Sequence, residues 1–468
     1  MIVKILKLVG YGVLFFLISV IIVNIFRPLF YQKLDGKYQE NVAARAFESE
    51  ETSTERVLCI DDNTDALTWR FRMIASAEAS IVLSTFDLRA DNSGTDVMAA
   101  LYDAAERGVK VQLLIDGIYE IPQLKWNETF KALVAHQNVE ARIYNPITLK
   151  NFYDLNYRMH DKYLIIDDEM YLLGGRNTND IFLGKDTDTI NIDREILVYE
   201  TVPGEGESLK DLRDYFRNVW DAPYVQEVKA AISKDKLSAY DQMFRERYQT
   251  LQEAYGNFAE YSGWLEDTFE VNKISLISNE SHNRNKEPRV LHVIKQLAMS
   301  GKEVWIQTPY VICNREMYGV LSQIAQEADL NIMINAVEKG SNPWGCTDYL
   351  NNKVKILKTG ADVYELMNEQ AVHTKTILVD DHISIIGSYN LDMRSTYLDT
   401  ELMLVIDSER LNSHIREMIN GYKEKSIEVL SDGSEKIGAL YCERQLSYGK
   451  KLFYSVLRLI IIPFRHVL

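Results

Sequence analysis

The sequence predicts an α/β protein made of two related halves behind one N-terminal apolar helix. Three observations carry that expectation: a strand–helix–strand order that recurs, five residues that recur at equal offsets, and a long uncharged segment before both. The first half opens near Val57. Ile81–Phe86 reads as a strand, Val97–Arg107 as a helix and Val109–Ile115 as the next strand, with Gly108 as a helix stop. The second half opens near Lys273 and repeats the order with Val304–Thr308, a helix over Met317–Glu327, and Leu330–Asn335. Such alternation implies parallel strands joined by right-handed crossovers. Duplication implies a pseudo-twofold relation, with the repeated residues facing one cleft.

Before these halves, Leu8 to Phe26 is a run of 19 uncharged residues flanked by Lys4, Lys7 and Arg27. At 1.5 Å per residue it covers about 28 Å, close to the ~30 Å hydrocarbon core of a bilayer. A secretory signal is the rival reading, but its apolar stretch normally holds ~7–15 residues with cleavage close behind. Ala44–Arg45–Ala46, the nearest small-x-small sequence, lies 18 positions after Phe26. The segment reads as a retained single-pass anchor in the cell membrane. Sidedness stays open, because Lys4 and Lys7 face Arg27, Lys33 and Lys37 across it.

The expected organisation is an anchor over 1–28, a polar tether over 29–56, a first repeat over 57–225, a helical connector over 226–270, a second repeat over 271–430 and an amphipathic tail over 431–468. In the connector, Phe244, Tyr248, Leu251, Tyr255 and Phe258 step by 4, 3, 4 and 3, which makes one apolar helical stripe. Packing on the repeats is the expected use, with a lipid-facing surface as the alternative. The tail's apolar run, Leu452 to Ile462, is broken by Arg458 and is too short to span. Two readings stand for it: an interfacial helix, or packing on the second repeat.

Composition narrows the function. The chain has 468 residues, 46% of them hydrophobic, enough for full-sized cores. Its net charge is 52 − 68 = −16, which argues against a nucleic-acid partner. Any anion site must be local. Cys59, Cys313, Cys346 and Cys442 show no paired spacing, so they suggest neither a zinc site nor a disulfide framework.

The recurring residues are His160, Lys162, Asp167, Gly174 and Asn177, then His373, Lys375, Asp380, Gly387 and Asn390. Both histidines precede their asparagine by 17 positions. One such match per histidine arises by chance roughly once in 10⁵. The other six histidines (His136, His282, His292, His382, His414, His466) read as structural. Each motif pairs His and Lys at i and i+2, so both project from one face of a strand: Tyr163–Ile166 or Thr376–Val379. Asp167–Glu169 and Asp380–His382 read as tight turns into second strands, Tyr171–Leu173 and Ile383–Ile386. Antiparallel return would bring Asn177 beside His160 and Asn390 beside His373, within a one-residue slip of register. Gly174–Gly175 and Gly387–Ser388 would let a phosphate approach the backbone. Lys beside His suits an anionic phosphate better than a metal, so no metal and no cofactor are expected.

These residues resemble the phospholipase D superfamily, whose signature is a duplicated His-x-Lys-x4-Asp followed by Gly-Gly/Ser-x-Asn. The similarity extends to bacterial cardiolipin synthases of the short class with a single N-terminal membrane segment. Phe86–Asp87–Leu88 with Asp91–Gly94, Arg158–Met159–His160, Gly174–Asn177, Pro309–Tyr310, Val363–Glu365 and Gly387–Ser395 leading to Glu401 look like that branch, over about residues 57–430. Where the family often has Asn before the final Glu, this chain has Thr400. The resemblance implies two phospholipase D-like repeats forming one bilobal α-β-α sandwich.

It also implies phosphatidyl transfer through a phosphohistidine. His160 would be the nucleophile, by the family's habit, and His373 the acid and then the base; the residues alone do not choose between them. Lys162, Lys375, Asn177 and Asn390 would hold the phosphate oxygens. A carboxylate should fix each imidazole: Glu401 in the second half, and Asp193, or alternatively Glu195, in the first. Asp167 and Asp380 belong to the catalytic signature, yet they should brace the hairpins. Phospholipids in a membrane are the expected partners. The reaction would move a phosphatidyl group from phosphatidylglycerol or phosphatidylethanolamine onto phosphatidylglycerol. A hydrolytic phospholipase D, a nuclease of the superfamily and a scaffold with a decayed site are the rival readings.

Overall fold

The computed structural model describes residues 2–41, 43–119, 127–184 and 190–468. Two nine-stranded sheets share one strand order over eight strands, the ninth lying at opposite edges. In the first it runs Phe269–Glu270, Glu55–Ile60, Glu195–Glu200, Met170–Gly174, Tyr163–Ile166, Ser80–Thr85, Lys110–Asp116, Val139–Tyr144, Val225–Glu227. In the second, from Lys273–Ser278, it runs Leu402–Asp407, Ile383–Gly387, Thr376–Val379, Glu303–Gln307, Asp329–Asn335, Asp362–Leu366, Ser426–Val429 and Glu435–Ile437. The crossover strands pair in parallel and the motif hairpins antiparallel, so both sheets are mixed.

Alternation along the motif strands explains the layering. Leu164 and Ile166 face a core shared with helices Asn63–Ser76, Asn92–Glu106 and Lys234–Tyr255. Tyr163 and Ile165 face the opposite way, into a core that also holds Leu378, Ile386 and Leu404 of the second sheet. Ile377 and Val379 turn outward again, against helices Arg289–Ser300 and Arg315–Glu327. A strand buried on both faces must be apolar throughout, which is why these strands read as unbroken runs. The connector's stripe is packed through Phe244, Tyr248 and Leu251, but the helix ends at the exposed Tyr255, and Phe258 reaches the same core from a separate 3-10 turn after Gly256.

Residues 29–56 are not a loose tether. The Tyr31 ring lies 4.3 Å from that of Tyr397, tilted by 32°, Phe47 packs on the second-repeat core, and Ser49 N donates to Asp407 Oδ2 at 3.0 Å. A few aromatic residues suffice to dock a polar strap. The segment ahead of it, Ile2–Phe26, is one helix long and apolar enough to cross a membrane.

Candidate active site

Each hairpin turns on an aspartate in the left-handed region: Asp167 at φ 46° and Asp380 at φ 50°. Asp167 accepts the backbone N–H groups of Glu78 (2.7 Å), Ala79 (3.0 Å) and Ser80 (2.6 Å). Asp380 does the same for Lys302 (2.7 Å) and Glu303 (3.0 Å). Both lie at the end of their strands away from the histidines. Their place in the catalytic signature is thus corrected: they lock each turn to the neighbouring strand.

At the other end of the strands the two halves exchange backbone. Met159 bridges to Thr400, with His160 N donating to Thr400 O at 3.3 Å and Thr400 N to Arg158 O at 2.9 Å. Symmetrically, Ala371–Val372 pairs in parallel with Asn191–Ile192, and His373 N donates to Ile192 O at 2.6 Å. Position 400 contributes its main-chain N–H and carbonyl to this exchange.

This exchange decides which carboxylate meets which imidazole. His160 Nδ1 lies 2.9 Å from Glu401 Oε1, and His373 Nδ1 lies 2.6 Å from Asp193 Oδ2. The pairs are crossed between halves. The expectation that Glu401 serves the second half and Asp193 the first is corrected, because each carboxylate strand abuts the opposite motif. Glu195 touches neither histidine; it sits between Arg70 (2.5 Å) and Arg176 (3.4 Å) in the first-repeat core.

The carboxylates are held differently. Asp193 Oδ1 accepts Arg194 N at 2.8 Å. Glu401 accepts the hydroxyl of Ser395 at 2.5 Å and that of Ser388. Neither Gly174–Gly175 nor Gly387–Ser388 is left open for phosphate. A Cβ on Gly175 would fall within 3.0 Å of the Asp193 carboxylate; one on Gly174 or Gly387 would strike the adjacent strand. These glycines admit protein atoms, a correction to the phosphate-approach reading.

Lys162 and Lys375 are both buried, and each Nζ donates to the carbonyl of its own motif histidine. Lys375 Nζ also lies 3.1 Å from His373 Nε2. Burial, reinforced by these ammonium groups, lowers His160 far below the usual histidine range and His373 to about 4. Burial likewise brings Lys162 down to about 7 and Lys375 to about 8. It pushes Glu401 up to about 8, while Lys375 and His373 outweigh burial at Asp193 and hold it low. The resting imidazoles are neutral. A carboxylate accepting from Nδ1–H leaves the Nε2 lone pair available.

Asn177 and Asn390 fall one position beyond the residue directly opposite each histidine, since the registers put Leu173 against Tyr163 and Ile386 against Thr376. Each is buried with an Oδ1 that lacks a partner among the described residues. Two rings complete the surroundings: Phe86 stands edge-on to His160 at 5.2 Å, and Phe182 to His373 at 5.0 Å. Sequence reading missed Phe182, Ser388 and Ser395 as site residues. For Ser388 the signal was available, since it occupies the place of Gly175 in the aligned motif.

Two repeats that lend each other a carboxylate around paired His-Lys-Asn sets define the phospholipase D superfamily as the class of this protein. The family described as "Cardiolipin synthase, PLD-like domain" matches residues 71–220 and again 293–422. The chain belongs to that family, as a phosphatidyltransferase-type enzyme of the superfamily. Among its relatives, an uncharacterized Helicobacter pylori J99 protein is 26% identical over 79% of both chains. Cardiolipin synthase C of Escherichia coli K12 is 24% identical over 75% of this chain and 81% of its own. The crystal structure of phosphatidylserine synthase from Haemophilus influenzae shares the fold, with a TM-score of 0.61 at 15% identity, covering 92% of this chain and 100% of that one.

Proposed function

We propose that the enzyme moves a phosphatidyl group onto a hydroxyl of phosphatidylglycerol through a phosphohistidine on His160. The crossed carboxylate–imidazole pairs beside two buried lysines are the observation that carries this reading. His160 Nε2 attacks phosphorus; the P–O bond to the donor's headgroup alcohol breaks, and His373 passes its Nε2 proton to that oxygen. The acceptor hydroxyl then loses its proton to His373 and attacks. The P–N bond breaks and His160 is regenerated. The phosphodiester's own negative charge favours the protonated imidazole that His373 needs for the first step. Lys162, Lys375, Asn177 and Asn390 stabilise charge on the non-bridging oxygens. No metal or other cofactor enters.

The Ile2–Phe26 helix acts as a single-pass anchor, keeping the cleft at a surface where lipid hydroxyls are concentrated and compete with water. Support for cardiolipin as product comes from the family and from relatives that carry that name. Purified enzyme in vesicles of phosphatidylglycerol, with or without phosphatidylethanolamine, should accumulate cardiolipin, with net retention at phosphorus. Phosphatidic acid as the sole product would make it a hydrolase, and cleavage of DNA or RNA with lipids untouched would sink the lipid reading. Chelators should leave the chemical step unchanged on a short-chain soluble substrate.

A further inference from the structure

Catalysis leaves a second apolar surface unexplained. The C-terminal helix, Tyr448–Ile460, is apolar on two faces. Tyr454 and Leu457, with Ile461 just beyond, are buried where the helix packs on Pro343–Leu357, and Asn351 Nδ2 donates to Arg458 O at 2.9 Å. Leu452, Phe453, Val456, Leu459 and Ile460 make a second stripe, 50–74% exposed. Ile462 and Phe464 extend it past the helix end. Contiguous apolar surface of this kind marks an interaction site, whereas single exposed residues do not.

A second segment, Leu149–Tyr153, in which Leu149, Phe152 and Tyr153 flank Lys150 and Asn151, climbs along the N-terminal helix. The rings of Phe152 and Tyr153 both lie 6.0 Å from that of Phe16, and Tyr153 OH is 2.9 Å from Ser19 Oγ. Phe16 is ten residues before the helix end at Phe26, which is about 15 Å along the axis. Leu149 is 77% exposed.

Both features converge on one turn of the N-terminal helix. Asn24 Nδ2 donates to Phe152 O at 2.7 Å, and Asn24 Oδ1 accepts Leu155 N at 3.1 Å. At the neighbouring residue, His466 Nε2–H donates to Ile25 O. Charge points the same way. Residues 445–468 contain no acidic residue and four basic ones, Lys450, Lys451, Arg458 and Arg465, in a chain whose net charge is −16.

We propose that the outer stripe of the C-terminal helix and the Leu149–Tyr153 segment lie in the headgroup–acyl boundary of an anionic bilayer. The three elements then form one docking platform on the side where the N-terminal helix emerges. The proposal rests on the reading of that helix as an anchor. Continuity with it singles out lipid as the occupant, since Leu149–Tyr153 runs alongside the apolar helix itself. Lys450 and Lys451 at the start of the apolar stripe match the anionic headgroups of such an interface, whereas Arg465 turns inward onto Asp348 and Arg458 onto Asn351. The platform is joined to the active site: Arg27 bonds Asp154 at 2.6 Å and lies 5.1 Å over Tyr157, three residues before His160. Docking would therefore fix the tilt of the cleft as well as its height.

The test uses the full chain with Cys442, its exposed cysteine, replaced by Ser. A single fluorophore is placed at Leu149→Cys, Leu459→Cys, Val13→Cys or Val202→Cys, all at exposed positions, and the protein is reconstituted in phosphatidylglycerol–phosphatidylcholine vesicles with brominated acyl chains. Labels at 149 and 459 should be quenched to at least roughly half the extent seen at 13, and the label at 202 should not. Quenching at 13 with none at 149 and 459 overturns the platform and leaves the anchor standing. If position 13 also escapes quenching, the anchor reading falls with it. A 459 label protected from bromine but cross-linking to a second copy would assign the stripe to self-association and likewise overturn the proposal.

Discussion

Gly175 and Ser388 hold equivalent places in the two motifs, and the difference between them sets how each carboxylate is gripped. The absent side chain at 175 makes room for Asp193, whereas the hydroxyl at 388 donates to the longer Glu401. Gly175→Ser should displace Asp193, free His373 from its orienting partner and lower turnover by slowing both formation and breakdown of the His160 adduct; rapid acid-quench trapping of the phosphoenzyme reads both rates. His160→Ala or His373→Ala should each remove turnover, and the double variant should be scarcely worse than either, because the residues act as a unit. Substantial activity in His160→Ala would refute the assignment. The pH profile follows from burial. Protonated Glu401 would donate to Nδ1 and force the other proton onto Nε2, which blocks attack, so kcat/KM should rise as Glu401 ionises near pH about 8. The lysines, brought down to about 7 and about 8, must keep their charge, so the active form with Glu401 ionised is a minority species and the profile should be a low bell with its optimum between about 7 and about 8. Glu401→Gln should abolish the rising limb and cost on the order of 10²–10⁴ in kcat.

Elements were legible wherever burial was extreme. The Tyr163–Ile166 and Thr376–Val379 strands have the predicted limits, because they are covered on both faces. Helices start earlier than their apolar periodicity suggested: Asp91 and Asn314 cap helices that begin at Asn92 and Arg315, ahead of the expected Val97 and Met317. Side-chain caps add a polar first turn that a hydrophobic pattern does not register. The strap over residues 29–56 was illegible for the converse reason, since its docking uses isolated rings in a polar sequence. Asp380 gives this scale its prediction. Asp380→Ala leaves two backbone N–H groups short of their acceptor and removes a residue tolerant of positive φ. It should lower unfolding free energy by ~1–3 kcal/mol with little change in kcat, as measured by urea denaturation alongside steady-state assay.

For the molecule as a whole, the pairing of the halves is the part that spacing along the chain could not reveal. Asp193 follows His160 by 33 residues and Glu401 follows His373 by 28, so each carboxylate reads as a partner of its own motif. Only the backbone exchange at Met159–Thr400 and Val372–Ile192 reassigns them. Half of the molecule should therefore be unable to form a phosphohistidine. Residues 1–270 and 271–468 expressed apart should both be inactive, and co-expression should restore adduct and turnover together if the apolar layer between the sheets reassembles. Adduct formation by the first half alone would contradict the crossed arrangement.

The separation of 241 positions from His160 to Glu401 carries one more implication, for the life of the chain before it is finished. At ordinary translation rates the second member of that pair leaves the ribosome roughly 10–50 s after the first. Throughout that interval the histidine sits in a nascent polypeptide without the carboxylate that orients its imidazole. The nucleophile is armed only when the last sheet closes. The crossed pairing thus keeps a phosphatidyltransferase-type enzyme incomplete by its own topology until synthesis is almost finished.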